Sequence, residues 1–280
     1  MTFEIIPAHH VVFAEQADIF TRAFAGYVAG SFAMDAETLA RFVFHQGIDI
    51  CHSRFLRTAQ GLVGFGYINR TGNVSRLAAM GVVPEARREG SARQLLLHLL
   101  EETRARGDQA MILEVIEQNP AAHELYRREG FREIARLLSW RRKPAPVPDS
   151  PETLEEISLT TASQLPATLE FPGLPWQISR HAVAKVASGR AFRTRNALVV
   201  IGDPEIEFVR VHALSTLSSD ATDWPAMRAA LAAILRRYPD REFFAPALFP
   251  SIFGEKIFQP LGFAGDPLTQ ALMRYDLEKP

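Results

Sequence analysis

Apolar and polar positions along the first half of the chain follow two different periods, and the switches between them mark out elements. Alternation with a period of two predicts a strand at 2–7, a hairpin across 53–70 and a strand at 74–83. Between the first two, a period near 3.6 predicts helices at about 11–28 and 36–46. In SARQLLLHLLEETRAR, Ala92, Leu95, Leu96, Leu99 and Leu100 fall on one helical face, and Arg104, Arg106 and Gly107 close the helix with cations and a C-terminal glycine. The apolar run AMILEV (110–115) reads as a buried strand. It leads into NPAAHELYRREGF, where Asn119 is placed to cap a helix, Pro120 to start it and Gly130 to stop it. Ala122, Leu125 and Tyr126 share one face of that helix, and Arg127, Arg128 and Glu129 occupy the rest. A strand at 131–140 ends this first α+β series.

The pattern then breaks. RRKPAPVPDSP, residues 141–151, holds four prolines and few apolar side chains, so it can neither continue a strand ladder nor bury itself, and it reads as a linker. Beyond it the same element order returns at an offset of 132 residues. Strand 74–83 falls on 206–215, helix 91–106 falls on 223–238 with Asp223 and Pro225 as start signals, and Gly130-Phe131 falls on Gly262-Phe263. The expected layout is a first domain at 1–141, a linker at 142–151 and a second, duplicated domain at 152–280.

Composition narrows the function. The 280 residues are enough for two cores, and 47% hydrophobic with 22% charged residues is the balance of a folded globular chain. Lys and Arg total 31 against 32 Asp and Glu, so no net field favours nucleic acid or an anionic membrane, and any anionic ligand has to be held locally. The longest apolar runs, QLLLHLL and NALVVIG, fall far short of the ~20 residues of a bilayer span, and the N-terminus lacks a basic flank followed by an apolar core. Cys51 is the single cysteine, which excludes an internal disulfide and a cysteine zinc site and suits a reducing compartment, so a cytoplasmic location is expected, with Cys51 a packed residue of no chemical role. The eight histidines show no ligand spacing, and no metal is expected.

Candidate chemistry begins at MGVVPEARREGSA. A strand passes through a loop of small residues and arginines into the N-terminus of the Leu-rich helix, where free N–H groups and the helix dipole suit a phosphate or pyrophosphate. Neither G-x-G-x-x-G nor G-K-[ST] is present. The order V-x-P-x-x-R-x-x-G-x-A, a helix, LEV, then N-x-x-A-x-x-L-Y-x-x-x-G-F, spanning 80–131, resembles the GNAT superfamily of acetyl-CoA-dependent N-acetyltransferases. The fold class implied is α+β, two tandem GNAT-like acyl-CoA N-acyltransferase domains, each a central mixed sheet flanked by helices. The resemblance implies that strands 74–83 and 110–116 splay apart to admit the pantetheine arm of the cofactor. It further implies that Val82 and Val83 pair with the pantetheine amides, that Arg87 opens a loop whose Arg88, Glu89, Gly90, Ser91 and Ala92 amides hold the pyrophosphate, that Asn119 contacts the arm, and that Tyr126 faces the thiol.

Transfer to an amine needs an uncharged nitrogen, a proton acceptor and a donor to the departing thiolate. Tyr126 is the expected donor. LEVIEQNPAAHELYRREGF is most similar to the branch of that superfamily that acetylates ribosomal-protein N-termini, and that resemblance assigns the base to Glu114, with Glu117 or a chain of waters as alternatives. A carboxylate in an apolar strand also calls for a partner on structural grounds. The second copy lacks these groups: RREGSA becomes SDATDW, Tyr126 becomes Phe258, Glu114 becomes Pro246 and Asn119 becomes Ser251. The function expected is therefore an N-acetyltransferase using acetyl-CoA and a small-molecule or peptide amine, active in its first half only, either a monomer with pseudo-dimeric domains or a weak homodimer. The alternative is a non-catalytic acyl-CoA-binding or protein-interaction module.

Overall fold

Buried polar bonding fixes the first helix on its sheet. Helix α1 (Phe13–Ala23) carries Gln16, whose amide donates to the carbonyls of Ala8 and Val11 at 2.9 and 2.7 Å and whose Oε1 accepts from the Tyr67 hydroxyl at 2.8 Å. Each buried polar atom thereby finds a partner while Ile19 and Phe20 turn into the core. The computed structural model describes residues 3–28, 30, 32–150, 152–165, 174–186 and 188–277. The chain divides into two compact units, Met1–Glu133 with Met273–Pro280, and Ile134–Leu272.

In the first unit β1 (Glu4–Pro7), β2 (Ile48–Thr58), β3 (Gly61–Thr71) and β4 (Val74–Val82) run antiparallel in that order, and β5 (Ala110–Ile116) joins β4 in parallel. The chain's last strand segment, Met273–Asp276, lies beyond β5, and the Leu277 amide donates to the Gln109 carbonyl at 2.9 Å. Helix α2 (Ala36–His45) is started by Asp35, whose carboxylate accepts from the Thr38 amide. Helix α3 (Ser91–Ala105) buries Leu95, Leu96, Leu99 and Leu100, each contributing roughly 1.5–3 kcal/mol. A β-carbon on Gly66 would strike Leu99 of α3, whereas the neighbouring Phe65 stacks on Phe20 of α1, so α1 and α3 cover opposite faces of the sheet. Helix α4 (Pro120–Arg128) follows β5.

The second unit holds β6 (Arg132–Arg142) from Ile134 onward, then β7 (Glu155–Ile157), α5 (Leu159–Gln164), α6 (Arg180–Val183), β8 (Arg190–Arg193), β9 (Ala197–Ile201), β10 (Val209–Thr216), α7 (Trp224–Arg237) and β11 (Phe243–Pro250). Helical turns across 251–261 lead into β12 (Ala264–Asp276), whose residues up to Leu272 belong here, and the strand order is β12-β6-β11-β10-β9-β8-β7. The duplication is visible in single hydrogen bonds. Gly130 and Phe131 donate to the carbonyls of Arg127 and Tyr126 at 3.2 and 3.0 Å, and 132 residues later Gly262 and Phe263 donate to those of Gln259 and Phe258 at 2.9 and 3.0 Å.

Two expected boundaries shift. The first helix ends at Ala23 rather than near 28, since Phe24–Gly26 form a turn. Residues 134–141, expected to finish the first domain, and Arg142, expected to open the linker, lie in the second unit, where β6 pairs with β11 from Phe243↔Arg142 to Pro250↔Leu137, and the first unit takes Met273–Pro280 instead. Alternation announces a strand without naming the sheet it joins. The Pro-rich segment begins only after Arg142, whose guanidinium ties it down through the carbonyls of Ala145 and Pro146 at 2.7 and 3.0 Å.

Packing in the second unit is tight around Trp140, because a β-carbon on Gly254 would lie 2.0 Å from the indole. Gly254→Ala is expected to destabilise the protein by about 1–3 kcal/mol, read from urea unfolding. An unchanged midpoint would show that the indole has room to move.

Candidate functional site

Strand β4 carries an extra residue. Its register with β3 steps from Tyr67↔Ala79 to Ile68↔Leu77, leaving Ala78 as a bulge. The parallel pairing of β4 with β5 runs from Val74↔Ala110 to Leu77↔Leu113 and stops at that bulge. A bulge bends its strand and increases the local twist, so the two strands part there while β4 stays paired to β3 as far as Val82. Ser75, Arg76 and Leu77 are buried, whereas Ala78 to Gly81 are only half-buried. The fork expected between 74–83 and 110–116 therefore opens after Leu77 and Leu113.

The fork presents main-chain groups. The Val83 amide donates to the Val63 carbonyl at 2.9 Å, so that N–H is engaged within the sheet, and the Val83 carbonyl accepts from Ala86 at 3.0 Å. Alternation along an antiparallel ladder then turns the main-chain groups of Met80 and Val82 away from β3. The Val82 carbonyl already accepts from Arg87 Nε at 3.0 Å, which leaves the Val82 N–H and the Met80 peptide groups for an extended ligand.

The loop after β4 is held in shape by its own side chains. Arg87 also donates to the Ala23 carbonyl at 2.9 Å, so it ties the loop to the end of α1. The Ser91 hydroxyl, buried, donates to the Ala86 carbonyl at 2.6 Å. Arg88 has φ +64°, the one positive φ at a described residue other than glycine, and such a conformation costs on the order of 1–2 kcal/mol. Gly90 has φ +80° at the N-cap of α3 and nothing within 4 Å of where a β-carbon would stand. No side chain caps this helix. The first intrahelical bond runs from Gln94 to the Gly90 carbonyl, so the amides of Ser91, Ala92 and Arg93 have no intrahelical acceptor. With the left-handed Arg88 beside them they form a concave set of donors at the positive end of a fifteen-residue helix, a geometry suited to phosphate. Arg88, Glu89 and Gly90 are exposed there.

Asn119 and Tyr126 lie past the open end of β5. Asn119 caps α4, its Oδ1 accepting from the Ala122 amide at 3.3 Å, and its side chain lies near enough to the Tyr27 hydroxyl to affect its titration. Tyr126 is buried, with its ring 5.7 Å from that of Phe131. Burial first and the nearby Tyr27 second push its hydroxyl well above the ordinary phenol value. Tyr27 is raised as well by burial, partly offset by Asn119. Tyr27 was not among the residues that the sequence singled out. Its flanking glycines, Gly26 at φ +69° and Gly30 at φ +103°, were the available sign of a shaped loop.

Glu114 is the first residue of β5 beyond the last parallel pair. Its side chain is 4% exposed and that of Arg76 3%, and Arg76 donates to Oε2 from Nε and Nη2 at 2.9 and 2.8 Å and to Oε1 from Nε at 3.2 Å. Arg76 also donates to Gln46 Oε1, just past α2, which puts the pair on the α1/α2 face. The partner that a buried carboxylate demands is thus present, and the sequence reading did not identify it.

The second copy closes the phosphate site by another route. The Asp223 carboxylate accepts from the Ala226 amide at 3.1 Å at the start of α7, and Pro225 has no N–H to offer. A carboxylate stands where the first copy has open amides, and it repels a phosphate. Among the described residues no cluster of His, Cys, Asp or Glu is arranged to hold a metal ion, and no helix is long and apolar enough to cross a membrane.

Residues 21–131 match the model of the acetyltransferase (GNAT) family. No curated protein matches the chain in sequence. Among solved structures, a tandem GNAT protein from the clavulanic acid biosynthesis pathway is 14% identical, with both chains covered in full and a TM-score of 0.63. A GCN5-related N-acetyltransferase from Anabaena variabilis is 14% identical over 99% of this chain and 73% of its own, with a TM-score of 0.69. One from Sphaerobacter thermophilus is 14% identical over 99% and 96%, with a TM-score of 0.63. At these identities the likeness is one of fold.

Proposed function

We propose that this protein is an N-acetyltransferase that moves the acetyl group of acetyl-CoA to a primary amine by direct attack in its first unit, because residues 21–131 match the GNAT acetyltransferase family model and the whole chain is similar in fold to a tandem GNAT protein. The observation that carries this reading is the fork opening at Leu77↔Leu113 beside the uncapped N-terminus of α3. An extended amide-bearing arm fits the one and a pyrophosphate the other. The α7 terminus, capped by Asp223, argues that the second unit binds no CoA. The acceptor is a small-molecule or peptide amine.

In this mechanism acetyl-CoA supplies the thioester, and the chain positions it and moves protons. Met80 and Val82 hold the pantetheine arm along β4, and the amides from Arg88 to Ala92 hold the pyrophosphate. The amine nitrogen forms a bond to the carbonyl carbon, the C–S bond breaks with its electron pair on sulfur, and the nitrogen loses a proton. Tyr126 donates a hydrogen bond to the departing sulfur; a phenol raised so far by burial stays protonated throughout the working range, so it stabilises the thiolate more readily than it gives the proton up. Asn119 stands near Tyr27 at the entrance. The nitrogen's proton is assigned to Glu114 through an intervening water, with Arg76 holding the carboxylate at the fork.

Glu114→Gln is expected to lower kcat/KM by about 10²-fold near pH 7, with the loss shrinking as pH rises toward the range where a free amine is already neutral. A loss independent of pH would remove proton transfer from Glu114 and leave it a structural partner of Arg76. Gly90→Val is expected to weaken acetyl-CoA binding at least tenfold, because valine is strained at φ +80° and its side chain projects into open space at the phosphate cradle. Equal affinity by calorimetry would move the pyrophosphate elsewhere.

A further inference from the structure

The first unit places a buried arginine at the root of its fork and neutralises it with Glu114. The second unit places a half-buried arginine, Arg210, in its own short parallel pairing without a carboxylate, although the residue that falls on Arg76 at the 132-residue offset is Phe208. There the parallel pairing of β10 with β11 consists of Val209↔Phe243 and Arg210↔Phe244. Val209 and Val211 pack into the core with Leu231 and Ile234 of α7, so Arg210 between them points to the opposite face of the sheet, as Arg76 points away from α3. The residue that falls on Glu114 at the 132-residue offset is Pro246.

Among the described residues Arg210 has no ion pair, and its Nε is closed off from solvent without a hydrogen-bond partner. Burial alone lowers its proton affinity, with no neighbouring acid acting against it. The acids on this face are already engaged: Glu242 and Asp266 accept from Arg141 at 2.7 and 3.1 Å. His212, further along β10, brings no negative charge. A guanidinium nitrogen shut off from solvent without a partner is costly, and an anion that reaches it recovers that cost. Arg210 retains partial exposure, so a small solute can reach it. The aromatic rings of Phe208, just before β10, and Phe244, paired with Arg210, are half-buried and 5.6 Å apart edge to face, and the Arg141 guanidinium lies over both, 5.6 and 4.7 Å from their centroids. The start of α7, closed by Asp223 and Pro225, offers a phosphate nothing.

We propose that the root of the second fork binds a small carboxylate carried on an aromatic or apolar body, with Arg210 holding the carboxylate where Glu114 stands in the first copy and Phe208 and Phe244 contacting the body. The duplicated half is then a ligand site in its own right, separate from the acetyl-CoA site.

Benzoate titrated into the full-length protein, followed by calorimetry and thermal unfolding, tests this. Benzoate is expected to bind and raise the unfolding midpoint, acetate to act more weakly and inorganic phosphate not at all. Arg210→Met is expected to weaken benzoate binding at least about tenfold, a loss typical of a charge-assisted pair. The same variant should unfold no earlier than the parent without ligand, because it removes a half-buried charge that has no ion pair, and should bind acetyl-CoA as the parent does. Magnetisation transfer from the Phe208 and Phe244 ring protons to benzoate locates the ligand in the parent protein without relying on a variant. Absence of benzoate binding, an equal response in Arg210→Met, or phosphate binding as well as benzoate would each overturn the proposal, and none of these results bears on acetyl-CoA in the first unit.

Discussion

Replacing Tyr126 by phenylalanine is expected to lower kcat by about 10²-fold while the acetyl-CoA dissociation constant changes by less than about threefold. The second copy of the fold explains why the effect should fall on turnover alone. Its counterpart of Tyr126 is Phe258, which lies in the same helix-ending turn: Phe131 donates to the Tyr126 carbonyl and Phe263 to the Phe258 carbonyl, each at 3.0 Å. A phenyl ring therefore suits this turn, and Tyr126→Phe removes one oxygen from a buried side chain without opening a cavity of consequence. What it deletes is the proton that burial keeps on the phenol. Steady-state kinetics paired with equilibrium binding separates the two quantities. An unchanged kcat would take Tyr126 out of the chemistry.

The second large effect concerns stability. Arg76→Met leaves Glu114 buried at the fork with its main charge partner gone, and breaking a buried pair from one side costs about 3–5 kcal/mol. The double variant Arg76→Met with Glu114→Met should recover most of that loss, since two apolar side chains of similar volume remove both desolvated charges together. Urea unfolding of the parent, the two single variants and the double variant gives the coupling directly. Additive losses in the double variant would mean that each side chain is held mainly by other neighbours.

How far these residues could be read in advance depends on how local their determinants are. Helices α3 and α4 were legible because their apolar stripes and start and stop signals lie within the segment itself, with Gly90 before one and Asn119 before the other. The duplication was legible because a fixed offset preserves whole elements even at low side-chain identity. Glu114 stood out as a carboxylate in an apolar run, yet Arg76 lies 38 residues earlier and became its partner only when β4 and β5 paired. The bulge at Ala78 that opens the fork carries no mark in its side chain. Which peptides of β4 face β3 was not legible, because that phase is set by Val63 across the ladder. The fate of 134–141 was hidden for the same reason, since the strand is legible and its partner β11 is not.

The central claim is that one copy of the fold binds acetyl-CoA and the other does not. Calorimetric titration of acetyl-CoA into the full-length protein, followed on the same sample by release of free CoA in the presence of a panel of primary amines, tests it most directly. The account predicts one site per chain, lost in Gly90→Val and intact in Arg210→Met, with CoA release on at least one amine. Two sites per chain would contradict the reading of Asp223 as a closed door at α7, and no binding would remove the acetyltransferase from the first unit.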